Sequence, residues 1–473
     1  MKRQFAPLLI LLLVAACGEE GGVQPADVQA GSGGSGGAPS DQGAQAGGGG
    51  QGAGGEGGSG GEGGSGGGGG SGGEGGSGGE GGSGGAGGYS PENDNTFRPE
   101  ERPFSDELLE KLKTKPGFTI SVFARGADNA RMMELAPGGG VYVTRPTTGD
   151  VLLLRDTDGN GAADESTKVF TGGPGFETLH GIALNAERDT MYLATATSLY
   201  SAPIDGDGRL GDASTLITDL PDGGQHGKRT MRLTPDGTSL LFSVGSSCNA
   251  CAETNPEHAA LLLIDPSLGP QTQQDRTVFA KGLRNTIGFD WYPGTDELWG
   301  MDHGSDQRGN VVPPEELNRL VEGNNYGWPY VYSSGPGERG LDPIMDDPPD
   351  TTKQDYAAAT EPAVLIYDAH SAPIDFRFYT GDQFPAEYKN DAFVAMRGSW
   401  NRYPPVGYKV VRVLFDDATH TPTGFEDFIT GWLIEDGRAT FGRPAGLLQM
   451  PDGSLLVSDD TSGIIYRVSY TGP

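Results

Sequence analysis

The chain has 473 residues, 82 of them glycine, and a formal net charge of −31 at pH 7. That charge excludes nucleic acid as a partner, because phosphate binding needs clustered lysine and arginine. A solvated acidic surface accounts for most of the carboxylates.

Residues 1–17 open with Lys2 and Arg3, run through the apolar stretch Leu8 to Leu13 and end in small residues before Cys17. This is the layout of a secretory signal. The ending Val14-Ala15-Ala16-Cys17 is similar to a bacterial lipobox. Cleavage is then expected to leave Cys17 lipidated and the protein an exported cell-envelope lipoprotein, facing the periplasm or the cell surface. The alternative is a cleaved signal without lipid, and the apolar run is too short for an ordinary spanning helix. Residues 18–91 are almost entirely Gly, Ser, Glu, Gln and Ala, with a recurring Gly-Gly-Ser-Gly-Gly-Glu phrase. Too little apolar surface is present to offset the entropy of ordering, so this segment is predicted to be a disordered tether. A flexible coil of about 70 residues spans on the order of 45 Å, enough to hold a domain clear of a membrane or to cross a polysaccharide layer.

Residues 92–473 are long enough for one large domain. Turn-plus-strand units recur along it, with Pro137-Gly138 before Val141-Tyr142-Val143, Ala186-Glu187 before Met191-Tyr192-Leu193, and Pro235-Asp236-Gly237 before Leu240-Leu241-Phe242. The same pattern returns before Leu298-Trp299, Ala392-Phe393-Val394 and Leu455-Leu456-Val457. Six such units, spaced mostly by about 50 to 70 residues, predict an all-β fold, a six-bladed β-propeller. Helical periodicity is scarce, and the clearest candidates are Glu101 to Leu112 and Pro314 to Val321. The stretch from Gly304 to Ala369, rich in Pro, Gly and Asp, is predicted to project over the central channel as the rim of the site.

The chemistry-bearing residues follow in order. Arg131 precedes the first unit and His180 the second, where channel-facing loops belong; a structural and a pocket role are both open for each. Asp156, Asp158, Asn160 and Asp164, with Gly161 at the sharp turn, reproduce the first half of an EF-hand-type loop. Thr167 stands where the bidentate Glu would be, so the loop is either a structural calcium site or a plain Asp/Gly turn. His226 lies in a Gly-rich loop, Gly223-Gly224-Gln225-His226-Gly227, that suits close approach to a ligand and proton exchange, and equally suits a surface histidine. Cys248 and Cys251, beyond a secretion signal, are read as a short-range disulfide. No His follows Cys251, which excludes c-type haem attachment, and no second cysteine pair is present for zinc.

Two stretches carry a family likeness. Residues 279–329 hold Gly282-Leu283-Arg284-Asn285, the turn Asp302-His303-Gly304-Ser305 and the corner Tyr326-Gly327-Trp328-Pro329; residues 370–412 hold His370-Ser371-Ala372-Pro373 and Met396-Arg397-Gly398-Ser399-Trp400. The chain resembles soluble pyrroloquinoline quinone (PQQ) dependent sugar dehydrogenases, most of all their sorbosone- and pyranose-dehydrogenase-like branch. The resemblance implies oxidation of a sugar or related alcohol or aldehyde by hydride transfer to PQQ. His226 would then be the general base, and Arg284 and Asn285 would face the quinone. A calcium ion would be held by the backbone carbonyls of Gly304 and Ser305, although the relatives' Pro is replaced. His303 would touch the cofactor or buttress the turn. PQQ carries three carboxylates and an ortho-quinone, so its pocket needs several cations and directed donors; Arg397 and Arg443 fall where such cations are expected, and Trp400 would stack on the quinone or close a blade. Without a haem motif, a separate electron acceptor is implied, and the domain is expected to be a monomer. The competing readings are a calcium-dependent lactonase, which needs a carboxylate and amide cage, and a non-catalytic propeller that binds glycan or protein.

Overall fold

The computed structural model describes residues 96–221 and 224–472. The expected signal, the lipidation site Cys17 and the tether of residues 18–91 lie outside the described residues.

Among the described residues six four-stranded antiparallel sheets form the body of the domain, beside a small three-stranded sheet of Glu100–Glu101, Ala439–Thr440 and Leu433–Ile434 and a two-stranded one of Val331–Gly335 and Glu338–Leu341. Five follow the chain in order, within residues 133–171, 181–217, 231–281, 288–367 and 373–429. The sixth joins Pro444–Gln449, Leu455–Asp459 and Ile465–Tyr470 to Phe118–Ala124, a strand from the other end of the domain. All six turn-plus-strand units of the sequence are second strands: Val141–Arg145, Thr190–Ala194, Leu240–Val244, Leu298–Asp302, Ala392–Met396 and Leu455–Asp459. Their side chains are buried nearly without exception, because each is covered by a neighbouring sheet on both faces. This is a β-propeller arrangement.

Contacts run from each sheet to the next and return to the first. Thr144 Oγ1 donates to the His180 carbonyl at 2.7 Å, linking the first sheet to the entry of the second. Thr230 Oγ1 donates to the Ile287 carbonyl between the third and fourth. Leu447 N donates to Asp375 Oδ2 at 2.9 Å between the fifth and sixth, and Ser458 Oγ reaches the Arg131 carbonyl at 2.7 Å. First strands come so close that a Cβ on Gly288 would lie 2.7 Å from Asp375 backbone, and one on Gly446 would lie 2.1 Å from the Arg131 carbonyl. Glycine is required there by lack of room.

The strand Phe118–Ala124 pairs antiparallel with Ile465–Tyr470 and so fastens the two ends of the domain together. Phe118 packs edge-on against Phe384, Phe428 and Tyr470, with ring centroids 4.8 to 5.1 Å apart. Phe118→Ala is expected to lower unfolding free energy by about 3–5 kcal/mol, read by urea denaturation. A loss below about 1 kcal/mol would show that the fold does not depend on this clasp.

Two helix expectations are corrected. Of Glu101 to Leu112 only Asp106–Leu109 is helical, capped by Ser105. Residues Glu315–Leu320, expected within a helix, form the third strand of the fourth sheet, paired with Leu298–Asp302 and Leu365–Tyr367. Its two glutamates, Glu315 and Glu316, are buried, and amides from distant segments satisfy them. Gly304 N and Ala372 N donate to Glu315 at 3.0 and 2.9 Å, and Ser333 N donates to Glu316 at 2.5 Å.

Candidate functional site

A cleft of about 220 Å³ is lined by loops that enter the first strands and leave the second strands of several sheets. On one side stands the Arg284-Asn285 corner, organised by a single carboxylate. Asp302, at the end of the strand Leu298–Asp302, accepts from Arg284 N at 2.9 Å, Asn285 N at 2.8 Å and Thr286 Oγ1 at 2.8 Å. Burial nevertheless pushes Asp302 up to about 6. The Arg284 guanidinium, 3 % exposed, is held by Asp306 Oδ2 at 2.8 Å, by Asn249 Oδ1 at 2.9 Å and by the Asn249 carbonyl at 3.0 Å. Asp306 Oδ1 accepts from Asn401 Nδ2 at 2.8 Å, and His370 Nδ1 lies 3.8 Å from the same oxygen. Burial alone would raise Asp306; His370 and Arg284 outweigh it and hold the carboxyl well below the usual range.

His226 sits beside this corner. Its Nδ1 lies 2.9 Å from Ser246 Oγ and 3.1 Å from the Ser246 carbonyl, while Ser246 Oγ donates its own hydrogen to the Cys248 carbonyl at 2.7 Å. Both Ser246 oxygens therefore act as acceptors toward the ring, which assigns the hydrogen to Nδ1 and leaves Nε2, on the opposite edge, with a free lone pair. Burial, then Arg284 and His303, push His226 down to about 3, so the ring is neutral at physiological pH. A Cβ on Gly245 would meet His226 Cβ at 2.5 Å and Asn285 Oδ1 at 2.8 Å, so glycine is what lets base and amide approach.

The other side of the cleft is cationic. Arg131 and Arg397 share Asp460 Oδ2, at 2.6 and 2.7 Å. Arg443 donates only to carbonyls, those of Arg397 at 3.2 Å and Gly398 at 2.6 Å. Lys228, two residues from His226, makes no hydrogen bond or ion pair with the described residues, and burial together with Arg131 pushes it down to about 8. Burial lowers Arg131 to about 10, and its buried Nε has no partner among the described residues. Four cations thus surround one carboxylate, with donors to spare.

The expected residues Arg131, His226, Arg284, Asn285, His303, Gly304, Arg397, Trp400 and Arg443 all line this cleft. Ser305 lines a smaller adjoining cavity. His180 does not line the cleft: its ring is wholly buried, with Nδ1 3.0 Å from the Arg229 carbonyl. His303 Nε2 lies 2.5 Å from the Pro373 carbonyl and ties its turn to the fifth sheet. Arg98 lies over the Trp400 ring, 5.3 Å from its centroid. Lys228, Asp306, Glu315, His370 and Asn401 are cleft residues that sequence reasoning missed. Of these Lys228 carried a local signal in its place in the His226 loop, and His370 in the His370-Ser371-Ala372-Pro373 phrase.

Cys248 and Cys251 are joined as a disulfide. In the Asp156 loop the oxygen side chains serve the loop's own backbone: Asp156 accepts from Asn160 N and Gly161 N at 3.0 and 2.8 Å, and Asp164 from Thr157 N at 3.2 Å. Its three carboxylates do not gather within 4.8 Å of one another; among the described residues the one such trio of possible ligands is Cys248, Cys251 and Glu253.

Comparison with known proteins places these features in a family. A model described as TrAA12-like matches residues 112–471. A protein of Borreliella burgdorferi without a functional name is 35 % identical over 246 residues, covering 52 % of this chain and 61 % of that one. The pyrroloquinoline quinone-dependent pyranose dehydrogenase of Coprinopsis cinerea is 26 % identical over 420 residues, covering 77 % and 55 % respectively. The chain thus spans between half and two thirds of the length of these two relatives. In fold it is similar to the holo form of the PQQ domain of the Coprinopsis cinerea pyranose dehydrogenase, with TM-score 0.66 and 22 % identity, covering 78 % of this chain and 98 % of that one.

Proposed function

This chain belongs to the TrAA12-like family of PQQ-dependent sugar dehydrogenases, and we propose on that premise that it oxidises a sugar or related alcohol or aldehyde in the cleft of a six-bladed propeller, each four-stranded sheet being one blade. The observation that carries the reading is the imbalance of charge. Of Arg131, Lys228, Arg397 and Arg443, only Arg131 and Arg397 are in ion pairs, both with Asp460, and donors are left unused. A polycarboxylate such as PQQ supplies what that side of the cleft lacks.

In this reading the four cations hold the carboxylates, and Arg284 and Asn285 stand at the quinone end. Bound PQQ supplies a two-electron acceptor for hydride, and a calcium ion supplies a Lewis acid beside it. The Gly304 and Ser305 carbonyls would hold that ion, and no backbone amide of the described residues donates to either. His226 accepts the substrate hydroxyl proton at Nε2 and stays oriented by Ser246. Arg284, fixed at three points, offers a preorganised cation where negative charge grows. His303 braces the turn through Pro373.

Electrons then leave to a separate acceptor. The sequence also supports a signal at residues 1–17, a linker at 18–91 and a propeller domain at 92–473, exported and lipid-anchored at Cys17, which mass analysis of the mature N-terminus decides. The experiment that tests the activity is titration of the protein with PQQ in calcium, followed by a panel of sugars. The expected result is stoichiometric binding and a quinone absorbance that sugar bleaches. Failure to bind in excess calcium would leave a propeller that holds another ligand.

A further inference from the structure

The loop from Ser246 to Glu253 contributes no side chain to the cleft lining, yet it touches both halves of the reacting corner. Asn249 spends every polar side-chain atom and its carbonyl there. Oδ1 accepts from Arg284 Nη2 at 2.9 Å and from Asp306 N at 2.8 Å, and Nδ2 donates to the Asp306 carbonyl at 2.9 Å. The Asn249 carbonyl accepts from Arg284 Nε at 3.0 Å and Trp328 Nε1 at 3.3 Å. Ser246 N donates to the Arg284 carbonyl at 2.8 Å, and the same serine orients His226. Ser247, through N and Oγ, is pinned by Glu253 at 2.7 Å each.

One asparagine can make five hydrogen bonds to three residues only if its backbone is fixed, and the disulfide that brackets it, Cys248 to Cys251, does that. Both cysteines are half-buried, within reach of a small reductant. We propose that Asn249 is a positioning residue for Arg284 and Asp306, and that the Cys248–Cys251 disulfide is its lock, so that reducing the disulfide detunes the site. The step is a thiol–disulfide exchange: a dithiol gives two electrons and two protons, the S–S bond opens to two thiols, and the dithiol closes to its own disulfide. The inference rests on the roles given above to Arg284 and His226.

The test uses the full chain as the parent, Asn249→Ala, Asn249→Asp and the double variant Cys248→Ser/Cys251→Ser, each with and without dithiothreitol. In cofactor-free protein the buried Arg284 Nη2, which donates to Asn249 Oδ1, should give a protected ¹⁵N–H signal that Asn249→Ala and reduction both abolish and that Asn249→Asp, which keeps the acceptor, restores. Loss of Asn249 should weaken PQQ binding by about 10- to 100-fold and lower kcat more than it raises the sugar KM. Dithiothreitol should reproduce this in the parent and add nothing to Asn249→Ala. If Asn249→Ala keeps the Arg284 signal and binds PQQ within about twofold of the parent, the proposal is wrong. It is equally wrong if reduction harms Asn249→Ala as much as the parent. Should Asn249→Ala fail to fold, the double variant and the reduced parent decide. A parent that does not bind PQQ at all removes the functional reading, while the Arg284 signal still decides this one.

Discussion

Replacing His226 by alanine is expected to cost about 100- to 10,000-fold in kcat, with PQQ affinity close to that of the parent. The expectation follows from the division of labour in the ring. Nδ1 is committed to Ser246, whose hydroxyl is itself committed to Cys248, so the tautomer is set by the fold and Nε2 can only accept. Single-turnover bleaching of the bound quinone by sugar measures the loss without interference from the electron acceptor. Turnover that survives intact would move the proton to another group, with His303 the next candidate in the cleft. The ring also sets a pH dependence. His226 is pushed down to about 3 and His303 to about 4, both from 6.5. The base is therefore already unprotonated at neutral pH, and the acid limb of kcat/KM should lie far below 6.5. For stability, the unfolded chain takes up protons that the fold refuses, so the contribution is complete above 6.5 and is lost as pH falls toward 3 to 4.

The second large effect is expected at Arg284. Arg284→Ala should lower kcat by about 100- to 1,000-fold, as removal of a preorganised donor at a developing anion does. Here the loss is compounded, because Asp306 would keep Asn401 and His370 but lose its guanidinium partner. Arg284→Lys should recover little, since one ammonium cannot reach Asp306, Asn249 Oδ1 and the Asn249 carbonyl together. Comparing kcat at saturating PQQ with PQQ affinity separates the two contributions. A variant within about tenfold of the parent would assign the stabilising charge elsewhere.

The second strands of the sheets were legible because each is a dense apolar run directly after a short turn segment, rich in Gly and Pro or in Asn and Asp, a purely local pattern. The first strands, such as Met133–Leu135 and Met231–Leu233, are short and mixed, and nothing local separates them from loop. Glu315–Leu320 misled for a related reason. Nothing local marks it as a strand, because that strand depends on pairing with residues of Leu298–Asp302 and Leu365–Tyr367. Within the cleft, Arg284, Asn285 and Arg397 stood in recognisable phrases. His370 stood in one too, but its role, like those of Asp306 and Asn401, was not legible: Asn401, His370 and Arg284 all meet at Asp306, and that geometry exists only once the sheets are arranged around the centre. His180, equally plausible by position, points its Nδ1 at the Arg229 backbone instead.

The segment ahead of the clasp has a mechanical consequence. Glu100–Glu101 lie parallel to Ala439–Thr440, Arg98 covers Trp400, and Phe97 meets Tyr403 at 5.0 Å. Tension applied at Thr96 would load these contacts first, at the wall shared by Trp400 and Arg443, and reach the Phe118–Ala124 pairing only after they part. The first contacts loaded by a pull are then also ones beside the cleft, so strain on the N-terminal end is felt at that wall before it reaches the clasp.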